Sequence, residues 1–210
     1  MTFRPLFACL FVCLATGLFA QTKTETRNLS GFEKIAVSGG FDQVTLIAGA
    51  EEKITLETEG VDPEKVVTEV RGNTLDIHMK RGNYRNHRIK LTITYRKLEE
   101  VASSGSSDFV AGTPIKGDSF TFISSGSGNF KGTLDVNKFT VTLSGSSDVV
   151  ASGRADQQKF TISGSGDIKA GELKGQSAQV IVSGSGDVQL NVDGPVKTQV
   201  SGSGSVENTN

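Results

Sequence analysis

Phe160-Thr161-Ile162-Ser163-Gly164-Ser165-Gly166-Asp167-Ile168 sets an alternating strand against a small, polar turn, and the arrangement recurs through the C-terminal half of the chain. The other turns are Ser104-Gly105-Ser106-Ser107-Asp108, Ser125-Gly126-Ser127-Gly128-Asn129, Ser144-Gly145-Ser146-Ser147-Asp148, Ser183-Gly184-Ser185-Gly186-Asp187 and Ser201-Gly202-Ser203-Gly204-Ser205. Their first glycines stand 21, 19, 19, 20 and 18 residues apart. A turn at so nearly fixed a period marks a repeat architecture, in which no unit encloses a core alone and stacked units share one.

Between the turns the residues alternate as strands do. Phe139, Val141 and Leu143 are separated by Thr140 and Thr142, and Ala178, Val180 and Val182 flank Gln179 and Ile181. Period-two alternation of this kind buries one face. A shorter apolar piece follows each turn (Phe109-Val110, Val149-Val150, Ile168, Val188), and a second break falls at Gly112, Gly132, Gly153, Gly171 and Asn191. Each unit of about nineteen residues is therefore read as two strands and two tight turns. Stacking in register preserves the alternation, which favours an all-β parallel β-helix over a sandwich of hairpins. Ser103 and Ser124 stand as extra small residues before the first two turns and are read as local bulges.

Residues 101–206 form the regular solenoid, 21–100 an irregular β region with longer rungs, and 207–210 a polar tail. Within the irregular region, Ile35-Ala36-Val37-Ser38-Gly39-Gly40-Phe41-Asp42 is a degenerate first copy of the turn. Strands are predicted over 44–47, 54–58, 66–70, 75–79 and 88–95, with a short helical turn beginning at Pro63.

Residues 1–20 differ in kind. Arg4 precedes a nearly unbroken apolar run from Leu6 to Ala20, followed by Gln21-Thr22-Lys23. This is the pattern of a secretory leader cleaved near Ala20, too short to span a bilayer. Leu6-Phe7-Ala8-Cys9 resembles a lipoprotein box, but cleavage there leaves the apolar run attached. Both cysteines, Cys9 and Cys13, fall in the leader, so the exported chain relies on its core rather than on disulfides. The net charge of −1 gives no reason to expect nucleic acid as a partner. No membrane span is expected once the leader is removed.

The repeated Ser-Gly-Ser-Gly-Asp turns, the lead-in Phe32-Glu33-Lys34-Ile35-Ala36-Val37-Ser38-Gly39 and the leader together resemble the "putative auto-transporter adhesin, head GIN domain" family. The resemblance runs from about Leu29 to Val206. It implies a β-helix akin to pectin-lyase-like folds, a bacterial (often Bacteroidetes) source, and an adhesive role. The chain departs from trimeric autotransporters in showing no heptads or barrel strands after Val206.

Candidate chemistry is sparse. Asp148, Asp167 and Asp187 share one column, about 4.8 Å apart by rung spacing, and adjacent carboxylates invite a cation ladder. The same column accepts Asn129 and Ser205, however. What the three types share is a short side chain that bonds backbone N–H groups, so turn capping is the favoured reading. No catalytic or cofactor motif stands out. His78 and His87 lie outside the repeats, and the serines recur with the turn rather than on a nucleophile elbow. The outward columns do suggest a contact face: Thr140, Lys159, Gln179 and Lys197 in one, with Thr161 and Ile181 in the next. The expected protein is a non-enzymatic, exported envelope module, binding an envelope or host-surface protein or polymer, or a second copy of itself. A structural scaffold and a polysaccharide-active β-helix enzyme are the alternatives.

Overall fold

The computed structural model describes residues 22–210, so the leader expected over 1–20 lies outside the described residues. The repeats stack in register. Ile115–Gly126, Phe130–Gly145 and Val149–Gly164 run parallel, setting Phe120 beside Phe139 and aligning Gly126, Gly145 and Gly164. Ser177–Gly184 and Val196–Gly202 extend the same side, while Ile168–Gly175, Val188–Val192 and Val206–Asn208 extend the side beyond the turn. The 17 strands of the described residues join one wound sheet, an all-β parallel solenoid.

The first glycine of each turn explains the stacking. Gly105, Gly126, Gly145, Gly164, Gly184 and Gly202 have φ between 131° and 156°, a region that side chains disfavour. A Cβ on any of these six would also overlap the carbonyl oxygen of the equivalent glycine one rung earlier. That oxygen accepts a hydrogen bond from the serine after the next glycine: Ser127, Ser146 and Ser165 N–H donate to Gly105, Gly126 and Gly145, each at 2.9 Å.

At Gly132, Gly153 and Gly171 the second break is a bend rather than the tight turn expected, whereas at Gly112 one strand ends at Ala111 and the next begins at Ile115. Phe130–Gly145 and Val149–Gly164 each run unbroken for 16 residues through it. These two rungs bend together, so their pairing runs through the corner, whereas on the following rungs the register shifts there, between Val150 and Ser152 and between Lys169 and Lys174. A further corner lies at Asn137 and Lys138, both exposed, between buried Val136 and Phe139. This three-residue step is where the inward alternation changes phase.

Inside, Phe120 stacks on Phe139 at 5.8 Å, and Phe139 meets Phe160 edge-on at 5.7 Å. The bulges expected at Ser103 and Ser124 are absent. Both serines sit in register in the inward column that Leu143, Ile162 and Val182 occupy on later rungs. They are buried polar substitutions, not insertions, and Ser124 Oγ is bonded to Ser147 Oγ at 2.7 Å.

The N-terminal region contains the five predicted strands and a 3-10 turn at Pro63–Lys65. The degenerate copy forms a true rung: Lys34–Gly39 and Gln43–Ala48 stack parallel on Glu100–Gly105 and Phe109–Ala111, with Gly39 facing Gly105. On its other side lie Thr74–Met79 and Arg88–Tyr95, also parallel. Antiparallel strands then close this end. Val66–Arg71 pairs with Thr74–Met79, Lys53–Glu59 with Arg88–Tyr95, and Lys23–Asn28 with Lys53–Glu59. Reversing the chain lets these strands pair with the end of the stack through short connections, where a further parallel strand needs a crossover. The tail expected over 207–210 is instead part of the last rung. Glu207 and Asn208 pair with Gln189 and Leu190, and Thr209 N–H donates to Leu190 O at 2.8 Å.

Phe139 touches phenylalanines on both neighbouring rungs, so Phe139→Ala should cost about 3–5 kcal/mol. Phe139→Asp should abolish folding. Circular dichroism and thermal melts check both, and an unchanged melt for the Asp variant would place the side chain outside the core.

Candidate functional site: the outer sheet face and the turn edge

Because the strands bury alternate residues, the remaining side chains form straight outer columns. Register places Thr121, Thr140, Lys159, Gln179 and Lys197 in one, and Ile123, Thr142, Thr161, Ile181 and Gln199 in the next. Lys159, Gln179 and Lys197 are exposed, whereas Thr140, Thr161 and Ile181 are half-buried by their neighbours. The isoleucines are thus less open than alternation alone suggests. All six residues of the expected contact face lie together on one sheet.

A shallow depression of about 430 Å³ lies beside this face, at the corner marked by Lys138. Lys138, Gln157, Lys159, Gln179, Pro195 and Lys197 line it, together with buried Gln158. Gln158 takes the inward column position held by Phe139 one rung earlier, Ala178 one rung later and Val196 beyond. Its Nε2 donates to Leu173 O at 2.9 Å, while Oε1 is buried without a partner. An unpaired buried acceptor is costly, and the residue that carries it lines the depression. Sequence reading passed over this residue, although a glutamine in an apolar column was the available signal. None of the three lysines has an acidic side chain within ion-pair distance among the described residues.

The turn column forms a second regular feature. Asp148 N–H donates to Asn129 Oδ1, Asp167 N–H to Asp148 Oδ1, and Asp187 N–H to Asp167 Oδ1, each at 2.9 Å. Ser205 closes the series, donating both its N–H (2.8 Å) and its hydroxyl (2.7 Å) to Asp187 Oδ1. Each short side chain therefore caps the backbone of the next rung rather than its own turn. Asn129 serves the column as well as Asp because an amide oxygen also accepts. The Ser205 hydroxyl, then its N–H, holds the Asp187 carboxyl below the ordinary carboxylate range, against a smaller opposing effect of desolvation. A depressed folded-state value stabilises above the unfolded value and is lost as pH falls through the folded one. Protonation of Asp187, as pH falls through that depressed value, therefore weakens the tie to Ser205 on the last rung.

The histidines remain apart from these features. His78 Nδ1 lies 3.5 Å from Asp76 Oδ1, and Ser38 is its register partner on the neighbouring strand. Among the described residues no hydrogen bond joins Ser38 to the ring, so the three do not form a relay. His87 meets Tyr84 edge-on at 6.2 Å.

Stacked Gly turns, a capping ladder and a flat outer sheet define a parallel β-solenoid of the Gly-Ser-turn type. The chain belongs to the family described as "Putative auto-transporter adhesin, head GIN domain", which matches residues 31–210. Solved structures share the fold. A "putative adhesin" from Bacteroides fragilis has a TM-score of 0.77 at 20% identity, covering 90% of this chain and 97% of that one. A "putative adhesin" from Parabacteroides distasonis has a TM-score of 0.66 at 19% identity, over 90% and 98%. A "putative lipid binding protein" from the same species has a TM-score of 0.64 at 21% identity, over 90% and 97%. No functionally curated protein matches the chain. Among the described residues, no helix is long and apolar enough to cross a membrane.

The capping ladder separates two substitutions at one position. Asp167→Asn keeps an acceptor for Asp187 N–H and should leave the melting temperature unchanged. Asp167→Ala removes it and should cost about 1 kcal/mol. Calcium at a hundred times a dissociation constant would stabilise a binding site by about 2.7 kcal/mol. Melts of the unaltered protein with and without excess calcium should coincide, and a shift that Asp167→Asn removes would make the column a cation site.

Proposed function

We infer that this protein is an exported, non-catalytic module of the bacterial envelope that holds a partner against its outer sheet face. The observation that carries the reading is the depression at the Lys138 corner, where exposed cations without acidic partners and the exposed amides of Gln157 and Gln179 converge. A binding surface needs unsatisfied groups that a partner can reach, whereas on the turn edge one side-chain oxygen of each capping residue is already bonded to the next rung. Membership in a family described as adhesins supports contact rather than turnover. The leader pattern ending at Ala20 supports export, and the Bacteroides and Parabacteroides neighbours fit a Gram-negative envelope. Lys159, Gln179 and Lys197 hold the partner's polar groups, and Thr140, Thr161 and Ile181 supply the flat, partly apolar floor beside them.

Exposed lysines are the cleanest probes, because Ile181 and Thr161 carry some packing. Lys159→Glu with Lys197→Glu should leave the melt unchanged and reduce co-sedimentation with envelope membranes at least tenfold. Undiminished co-sedimentation of the folded double variant would remove this face from the account. A change confined to the protein's own sedimentation coefficient would make the face a self-association surface.

A further inference from the structure

One corner of the solenoid breaks the rule that all the others follow. Between Lys34–Gly39 and Gln43–Ala48 the chain turns in three residues, 40–42, and between Glu100–Gly105 and Phe109–Ala111 it does so in 106–108. The same corner between Thr74–Met79 and Arg88–Tyr95 takes eight residues, 80–87. Nothing in the stack requires the added length, since the strands on either side keep parallel register with the neighbouring rung.

The enlarged corner is also where the chain concentrates its positive charge. Lys80-Arg81-Gly82-Asn83-Tyr84-Arg85-Asn86-His87-Arg88-Ile89-Lys90 holds five of the 22 Lys and Arg residues and no acid, leaving 17 against 23 acids elsewhere. Two of the five are answered locally. Arg88 lies 3.8 Å from Glu59 and 4.0 Å from Asp42, and Lys90 faces Glu57 in the antiparallel register. Lys80, Arg81 and Arg85 are exposed without an acidic partner among the described residues. Of the seven arginines described, the other five form ion pairs, with Arg27, Arg71, Arg96 and Arg154 each meeting an acid within 4 Å.

The loop is held in shape. Tyr84 Oη donates to Lys80 O at 2.9 Å, and the Tyr84 ring packs edge-on against His87. Asn86 adopts φ 52°, and its carbonyl lies so close to Gly60 that a Cβ there would overlap it. A cationic loop that keeps one conformation before binding loses less entropy on binding.

We propose that this loop is a binding site for an acidic polysaccharide. Guanidinium forks pair bidentately with carboxylate or sulfate groups, which gives Arg81 and Arg85 a task that the fold leaves open. Asn83 and Asn86 offer amides to sugar hydroxyls, and the half-buried Tyr84 ring offers an apolar face to a sugar ring. A bilayer surface fits less well. Among the described residues the large exposed apolar ones are Val150 and Val200, far along the sequence, and the loop itself has none to insert among lipid chains. The net charge conceals the site, because acids elsewhere cancel it.

Dextran sulfate and uncharged dextran share a backbone, so the difference between them reads the anionic groups alone. Isothermal titration of the purified protein should show binding to dextran sulfate and none to dextran. Arg81→Ala with Arg85→Ala should weaken the former at least tenfold and flatten its dependence on salt, as the loss of two counterion-releasing contacts requires. Lys131→Ala with Lys169→Ala, two exposed lysines that belong to neither candidate site, should leave it within twofold. Equal weakening by both pairs, or unchanged affinity in the folded arginine variant, would overturn the proposal. So would equally tight, Arg81- and Arg85-dependent binding to phosphatidylglycerol vesicles, which would assign the loop to a lipid surface.

Discussion

Backbone stacks directly on backbone at the turn glycines, and the rest of the solenoid depends on that approach. With φ near 131–156° and no side chain, each glycine lets the next rung settle close enough for a serine N–H to reach the carbonyl below. Once this corner is fixed in register, strands on both sides align without further instruction. Phe120 then meets Phe139, and the inward residues form continuous columns. The Asp and Asn side chains lock the outer edge of the same corner by capping the rung that follows. Hydrophobic burial supplies most of the driving force, but the glycines decide which strands share it.

Much of this was legible from the sequence, because a repeat writes its geometry several times. The period, the inward face, the outer columns and the degenerate copy at Gly39 all followed from turn chemistry and alternation. The failures have local causes. Gly132 and Gly153 look like turns in sequence, yet a strand can bend without breaking when its neighbours bend alike. Ser103 and Ser124 look like insertions because serine rarely fills an inward column, and only register shows them standing where Leu143 stands. The antiparallel closure of the N-terminal end was hidden for a different reason. Strand periodicity carries no direction, so the sequence located Lys53–Glu59 and Val66–Arg71 without revealing that they run back.

The candidate site was half legible. Lys159, Gln179 and Lys197 could be placed on one face by counting back from each turn glycine. The depression beside them could not, since it depends on Gln158, Ala178 and Pro195 falling at the same corner on successive rungs. A pattern of this kind follows from the fold: regularity builds the scaffold, and the sites proposed for recognition lie at departures from it. Gln158 interrupts an apolar column, and the eight-residue corner at 80–87 interrupts a series of tight turns. Both leave polar groups that the protein itself does not satisfy.

The claim that close glycine stacking sets the fold is tested most directly by comparing two alanine substitutions in denaturant unfolding. At Gly117 the backbone is unstrained and a Cβ meets nothing within 4 Å, whereas at Gly164 it would strike the Gly145 carbonyl at φ 147°. Gly117→Ala should unfold with the same midpoint as the parent or a slightly higher one, as removal of backbone freedom from the unfolded chain predicts. Gly164→Ala should lose about 1–3 kcal/mol to backbone strain alone and more to the separated rungs. Equal midpoints for the two variants would contradict the account.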